Sequence, residues 1–153
     1  MILDAVGLTD ALVSQCLALG VFDRVNDHEP QGAPPGSGVT AAVWLDQAQP
    51  AQAASGLASV SMRVSFQVRI YIPTPVSLYG AIEQGILDAA SKTYNAFAGG
   101  FTLGGKVRNV DMFGETGPGM TGAAGFVEVD GRVFRAFTIT IPVIINDLYD
   151  EVP

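Results

Sequence analysis

The chain has 153 residues, is 48% hydrophobic, and carries 15 acidic against 8 basic side chains, for a net charge of −7. That length suits a single domain, which buries about two-thirds of the surface its unfolded chain would expose. The basic residues are scattered from Arg24 to Arg135 without a run, which excludes a protein that grips nucleic acid through clustered phosphate contacts. The single cysteine, Cys16, leaves no intramolecular disulfide to hold the fold, and an intracellular origin fits. No window approaches the roughly eighteen apolar residues that a membrane-spanning helix needs, so no membrane partner is expected. Asp4 and Asp10 argue against a secretory leader. Charged residues make up only 15%, against a typical value of about a quarter. Two readings fit that figure: apolar surface covered by other subunits, or a large core rich in alanine and glycine.

In chain order, the first twenty residues read as a helix. Ala5, Leu8, Leu12, Cys16 and Leu19 recur at three- and four-residue steps, and Gly20 is placed to end the helix. Gly7 weakens the first turn, so the helix is expected to start nearer Asp10, with Thr9 as its cap. Residues 21–26 suggest a short strand. Pro30, Pro34 and Pro35 make 27–37 a loop. Residues 39–45 read as a second strand carrying Trp44, and 46–57 as a connection or long hairpin arm containing Gln49, Pro50 and Ser55.

Residues 59–72 alternate without a break. Val60, Met62, Val64, Phe66, Val68, Ile70 and Ile72 face one way, and Ser61, Arg63, Ser65, Gln67, Arg69 and Tyr71 the other. A period of two marks a strand with one buried face. At about 3.3 Å per residue this run spans about 45 Å, against a radius of gyration of about 15 Å for a chain of this length. Such a strand crosses the whole domain or projects from it, which points to assembly rather than catalysis.

After Pro73 the period changes. A helix is expected from 75 to 98, with Thr74 as cap and Pro75 as first residue. Its apolar side carries Leu78, Ile82, Ile86, Ala89, Ala90 and Phe97, and Gly99-Gly100 ends it. Residues 103–113 look strand-like. A glycine-rich loop covers 114–125 and includes Glu115, Met120 and Thr121. Asp130-Gly131 between two alternating runs is a strong hairpin signal. The last strand continues to about Ile145, and Pro142 within it cannot donate to a ladder, which places that part at an edge or bulge. Residues 147–153 read as a flexible acidic tail. The pattern predicts one α+β domain over 1–153: a twisted, mainly antiparallel or mixed sheet with two helices packed on one face.

The chemistry-bearing motifs are weak. Residues 117–122 match G-x-G-x-x-G, but they lead into a strand rather than a helix, and no acidic residue follows about twenty positions on. His28, the only histidine, sits in the proline-rich loop beside Asp27 and Glu29 without placed metal ligands. Cys16 belongs to an apolar stripe, and no further histidine remains to activate a nucleophile. No cofactor, metal or enzymatic activity is expected.

Several cues together carry a resemblance. An N-terminal helix runs into Val21-Phe22-Asp23-Arg24-Val25 and the Glu29-Pro30 to Pro35 loop. Ser55-Gly56-Leu57-Ala58 precedes the alternating strand ending in Arg69-Ile70-Tyr71, and a helix leads to Phe101-Thr102-Leu103-Gly104-Gly105-Lys106-Val107-Arg108-Asn109-Val110-Asp111. The glycine loop, Gly125-Phe126-Val127, Asp130-Gly131, Arg135, Ile141-Pro142-Val143 and Asp147 close the pattern. Over nearly its whole length the chain resembles the tail terminator (tail-completion) proteins of long-tailed bacteriophages, particularly those of phages infecting actinobacteria.

The resemblance implies a structural virion protein. It would form a hexameric ring at the head-proximal end of the tail tube, stop tube polymerisation and join the tail to the neck. Its partners would be copies of itself, the tail-tube protein and a head-completion or connector protein, with DNA passing through the lumen without specific binding. It would be assembled in the host cytoplasm. On this reading Arg63, Ser65, Gln67, Arg69 and Tyr71 are the candidate subunit interface, the two arginines pairing with a neighbour's carboxylates. Gln49, Pro50, Ser55, Glu115, Met120 and Thr121 are candidate contacts with the tube or neck. A head–tail connector or stopper, or a tail-tube subunit, would share size and acidity. A small-molecule-binding α+β domain would instead need a deep pocket with convergent polar groups.

Overall fold

The first helix takes its cap from Asp4 rather than Thr9. The Asp4 carboxylate accepts from the Gly7 amide at 2.9 Å, the arrangement that satisfies an otherwise unpaired first-turn donor. The Thr9 hydroxyl instead donates to the Ala5 carbonyl at 2.8 Å inside the helix. At the other end Gly20 adopts φ 70°, and its amide donates to Leu17 O at 3.2 Å. The computed structural model describes residues 3–30, 32, 38–51, 59–73, 79–99, 107–114 and 117–150. Its elements are α1 (Ala5–Ala18), β1 (Arg24–Asn26), β2 (Thr40–Pro50), β3 (Ser59–Pro73), α2 (Tyr79–Gly99), β4 (Asn109–Val110), β5 (Thr121–Val129) and β6 (Arg132–Asp150). The expected cap at Thr74 with Pro75, the strand-like stretch 103–106 and most of the arm beyond Ala51 lie outside the described residues. No helix among the described residues is long and apolar enough to cross a membrane.

The six strands form one curled sheet in the order β1-β2-β3-β6-β4, with β5 also paired to β6. The fold is α+β, as the alternation and the two apolar stripes predict. All pairs are antiparallel except β1–β2, where Arg24 lies opposite Thr40 and Asn26 opposite Ala42. A parallel pair needs a crossover of about a dozen residues, and the proline-rich stretch between β1 and β2 supplies it.

Both helices cover the even-numbered face of β3. Val64, Phe66 and Val68 pack with Leu8, Leu12 and Cys16 of α1 and with Phe97 of α2. Ile70 and Ile72 meet Ile82, Ile86, Ala89 and Ala90 of α2. Gln15 Nε2 donates to the Ala96 carbonyl at 2.9 Å and ties the helices together. The small residues on α2 let it lie close to the sheet: a Cβ at Gly85 would stand 3.3 Å from Ile72 Cδ1. Each fully buried Phe or Ile side chain contributes about 1.5–3 kcal/mol through removal of apolar surface from water.

The hairpin at Asp130-Gly131 forms as expected, with φ 52° and 76°, the left-handed pair that a type I′ turn requires. Its first strand is longer than expected. Residues 121–125 belong to β5, because the register continues unbroken from Val129↔Arg132 to Thr121↔Thr140. Low strand propensity in a Gly-Ala-Ala-Gly row is overridden by pairing with a long partner. The last strand also runs on, to Asp150, with Ser59 opposite Asp150.

Pro142 is buried between strands rather than at an edge of the sheet. In a two-residue hairpin the residues flanking the turn form a hydrogen-bonded pair, so even-numbered residues of β6 direct their amides towards β5. That partner stops at Thr140, and β4 takes over at Val143. Pro142 falls in the gap, where no ladder donor is required. Its carbonyl, on the same side, accepts from Asp111 N at 2.8 Å.

Candidate assembly surfaces

The odd-numbered face of β3 is polar in sequence but largely closed in the structure. Arg63 is only 4% exposed and faces Asp111, 3% exposed, with Nε 3.6 Å from Oδ2. Arg63 Nη1 donates to Ser65 Oγ at 3.2 Å, and Nη2 donates to the Pro118 carbonyl. Two charges removed from water need each other and further hydrogen bonds to be tolerable; Asp111 supplies the counter-charge, and Ser65 and Pro118 the hydrogen bonds. Gln67 Nε2 donates to Asp46 Oδ2 at 3.2 Å while its Oε1 accepts from Thr140 Oγ1 at 3.1 Å. Arg69 Nε donates to Thr138 Oγ1 at 2.9 Å, and its guanidinium lies 5.3 Å from the centre of the Trp44 ring. Tyr71 is 2% exposed and meets Phe134 edge-on at 5.9 Å. Burial pushes its phenol above the ordinary tyrosine range, against the opposing pull of the Arg69 charge.

These side chains form rows across β2, β3 and β6 within one chain. Within the chain, Arg63 pairs with Asp111, and Arg69 lies over Trp44. The partner of Arg63 lies 48 positions away in sequence, so no local spacing announces it. Arg63, Ser65 and Tyr71 are buried, while Gln67 and Arg69 remain half-buried at this face.

The other candidates separate. Gln49 and Pro50 are exposed at the end of β2, opposite Arg63 and Met62. Thr121 is exposed at the start of β5. Met120 points inward and packs in the core. Its carbonyl accepts from Tyr94 Oη at 3.1 Å, and its amide donates to Met112 O at 3.1 Å. Ser55 and Glu115 lie outside the described residues. The stretch 117–122 leads into β5, so no helix N-terminus follows it. His28 Nδ1 and Asp27 Oδ1 are 2.9 Å apart in an exposed pair, and that hydrogen bond holds the Asp27 carboxyl below its usual range. Among the described residues no group of three or more His, Cys, Asp or Glu is placed to hold a metal.

Sequence patterning missed the apolar surfaces. Phe113 is 91% exposed at the turn after β4, in a stretch expected to be strand. Phe126 is 60% exposed on β5 beneath the Arg135 guanidinium, 4.7 Å from its ring centre. Arg135 in turn pairs with Glu83 of α2. Beside them a groove of about 410 Å³ runs along α2, lined by Leu87, Ala90, Tyr94, Ala98 and Phe137. A second, of about 330 Å³, lies between α1 and β2 at Val6, Thr9, Asp10, Trp44 and Leu45.

No protein-family model and no curated protein matches the chain. Solved structures do. One of the solved chains it is similar to is the sheath/tube terminator, in the extended state, of an extracellular contractile injection system, PVC. The identity is 12% and the TM-score 0.44, over 100% of this chain and 61% of that one. The chain thus spans about three-fifths of the length of that terminator.

Proposed function

We propose that this protein is a structural subunit of the tail-terminator kind, of the type found in phages of actinobacteria. In this reading it closes into a hexameric ring on the head-proximal end of a tail tube, halts tube growth and offers its upper surface to a head-completion or connector protein. The observation that carries the reading is the length of the β3–β6 pair. The strands have 15 and 19 residues, and at about 3.3 Å per residue β6 is about 60 Å long. Pairing between them runs the whole length of β3, from Ser59 opposite Asp150 to Pro73 opposite Phe134. A strand seam of that length suits an assembly better than a lone globule of this size. The order of sequence cues along nearly the whole chain supports the same reading. So does the net charge of −7, because an acidic lumen wall repels phosphates and lets DNA slide.

Negative-stain microscopy of the purified protein, alone and with tail-tube subunits, tests this. Single rings, and tubes capped at one end, are expected. A protein that remains monomeric at every concentration and leaves tubes uncapped, or one that stacks into long tubes itself, refutes it.

A further inference from the structure

The sheet is open on two opposite sides among the described residues. On one side β5 pairs with β6 and with nothing beyond it. On the other, β1 covers β2 only over Thr40, Ala41 and Ala42, which leaves 43–50 unpaired on the outer side. We infer that the outer edge of β5 joins the outer edge of β2 in a second copy, head to tail, so that the sheet runs on from one subunit into the next. The inference rests on the ring reading above and moves the subunit interface away from the closed polar face of β3.

Hydrogen-bond phase sets what β5 offers. Because Val129 and Arg132 flank a two-residue turn, the odd-numbered residues of β5 bond to β6. Gly122, Ala124, Phe126 and Glu128 then turn their amides and carbonyls outward. Lone proteins guard such an edge with lysine, proline, a bulge or a covering element. Among the described residues β5 has none of these: its nine residues hold one charge, Glu128, and the register shows no bulge. The small side chains of Gly122, Ala123, Ala124 and Gly125 leave room for another backbone to approach.

Direction is also compatible. Moving across the sheet, β2, β3, β6 and β5 alternate, so β5 runs opposite to β2. A copy rotated about an axis along the strands keeps every strand's direction. Its β5 therefore arrives antiparallel to β2, and the alternation continues without conflict. The joint is heterologous, the kind that closes rings. The apolar flanks agree: Phe126 and Leu87 are exposed on the helix side of β5, and Val6 and Leu45 line the helix side of β2. Both halves of the contact lie on this one chain, and that identifies the occupant as a second copy.

Ala124→Pro removes an outward amide that β6 does not use. The expected result is a shift in light-scattering mass from ring to monomer, with an unchanged circular dichroism spectrum. A second measurement does not depend on that variant folding. Ala48 and Ala124 are both exposed on the helix side, so Ala48→Cys and Ala124→Cys chains are prepared separately and treated with a short bismaleimide. A cross-linked dimer is expected from the mixture and from neither chain alone, and Cys16, fully buried, does not compete. Rings that persist in a folded Ala124→Pro chain, or a mixture that yields no dimer while rings are present, overturn the edge assignment alone. A wild-type chain that never oligomerises overturns the ring reading with it.

Discussion

Replacing Asp111 by asparagine keeps its shape and removes its charge, leaving the Arg63 guanidinium buried without a counterion. Breaking a buried ion pair from one side costs about 3–5 kcal/mol. Arg63 would keep the Ser65 hydroxyl and the Pro118 carbonyl, and its 3.6 Å separation from Asp111 is longer than the roughly 2.7–2.9 Å of a charge-assisted hydrogen bond. The lower end, about 3 kcal/mol, is therefore expected. For a domain of this size 1 kcal/mol moves Tm by about 2–4 °C, so Tm should fall by roughly 6–12 °C. Urea unfolding at fixed protein concentration gives the free energy directly, and the m-value should stay unchanged. The double variant Arg63→Met with Asp111→Leu removes both charges and should return to within about 1.5 kcal/mol of the wild type. A loss below about 1 kcal/mol for Asp111→Asn, or a double variant no more stable than the single one, would refute the buried pair. An Arg63 that bridged to a neighbouring subunit would instead weaken ring formation and leave monomer stability untouched.

Burial pushes the Cys16 thiol up to about 12 from 9.0. Its neutral form is favoured in the fold, so this contribution is complete below pH 9 and is lost as pH rises towards 12, at about 1.4 kcal/mol per pH unit. Cys16→Ala should remove that part of the alkaline slope in urea midpoints; identical slopes in the two proteins would count against it. Gly119→Ala should cost about 1–3 kcal/mol in thermal unfolding, comparable to overpacking a core, because the new Cβ would stand 2.4 Å from the Met112 carbonyl oxygen. Arg69→Met removes a stacked cation and a hydrogen bond, for a loss of about 1–2 kcal/mol. Trp44 is the only tryptophan, so its emission should shift in the folded variant, and an unchanged spectrum would contradict the stacking.

Much of the fold was legible because its signals are local. The alternation at 59–72 records one buried face, the stripe from Leu8 to Cys16 records one helix face, and Asp130-Gly131 specifies its own turn. What was hidden depends on partners distant in sequence. Nothing near Arg24 tells that β1 will run parallel to β2. Polar residues on β3 say that a face is polar, but not that Asp111 and Pro118, distant in sequence, will meet Arg63 there. Pro142 signals a missing donor, yet only the handover from β5 to β4 shows why a strand between neighbours tolerates it. The assembly candidates divide in the same way. Gln49, Pro50 and Thr121 lie on strand ends that remain exposed, whereas Met120, chosen for its place in a glycine-rich stretch, has an apolar side chain that packs inward.

The pairing of β3 with β6 also governs when the molecule can fold. Val68 lies opposite Ile139, and Ser59 opposite Asp150, so the central seam of the sheet joins residues 61 to 91 positions apart. Non-local pairing of this kind gives high contact order and folding on the order of milliseconds to seconds rather than microseconds. On the ribosome β3 is made early and must wait, one side unmatched, until nearly all of β6 has emerged. β5 gains its register only from β6, so its outer edge does not exist before that moment. A nascent chain therefore has no β5 edge to offer another chain until its own sheet is complete.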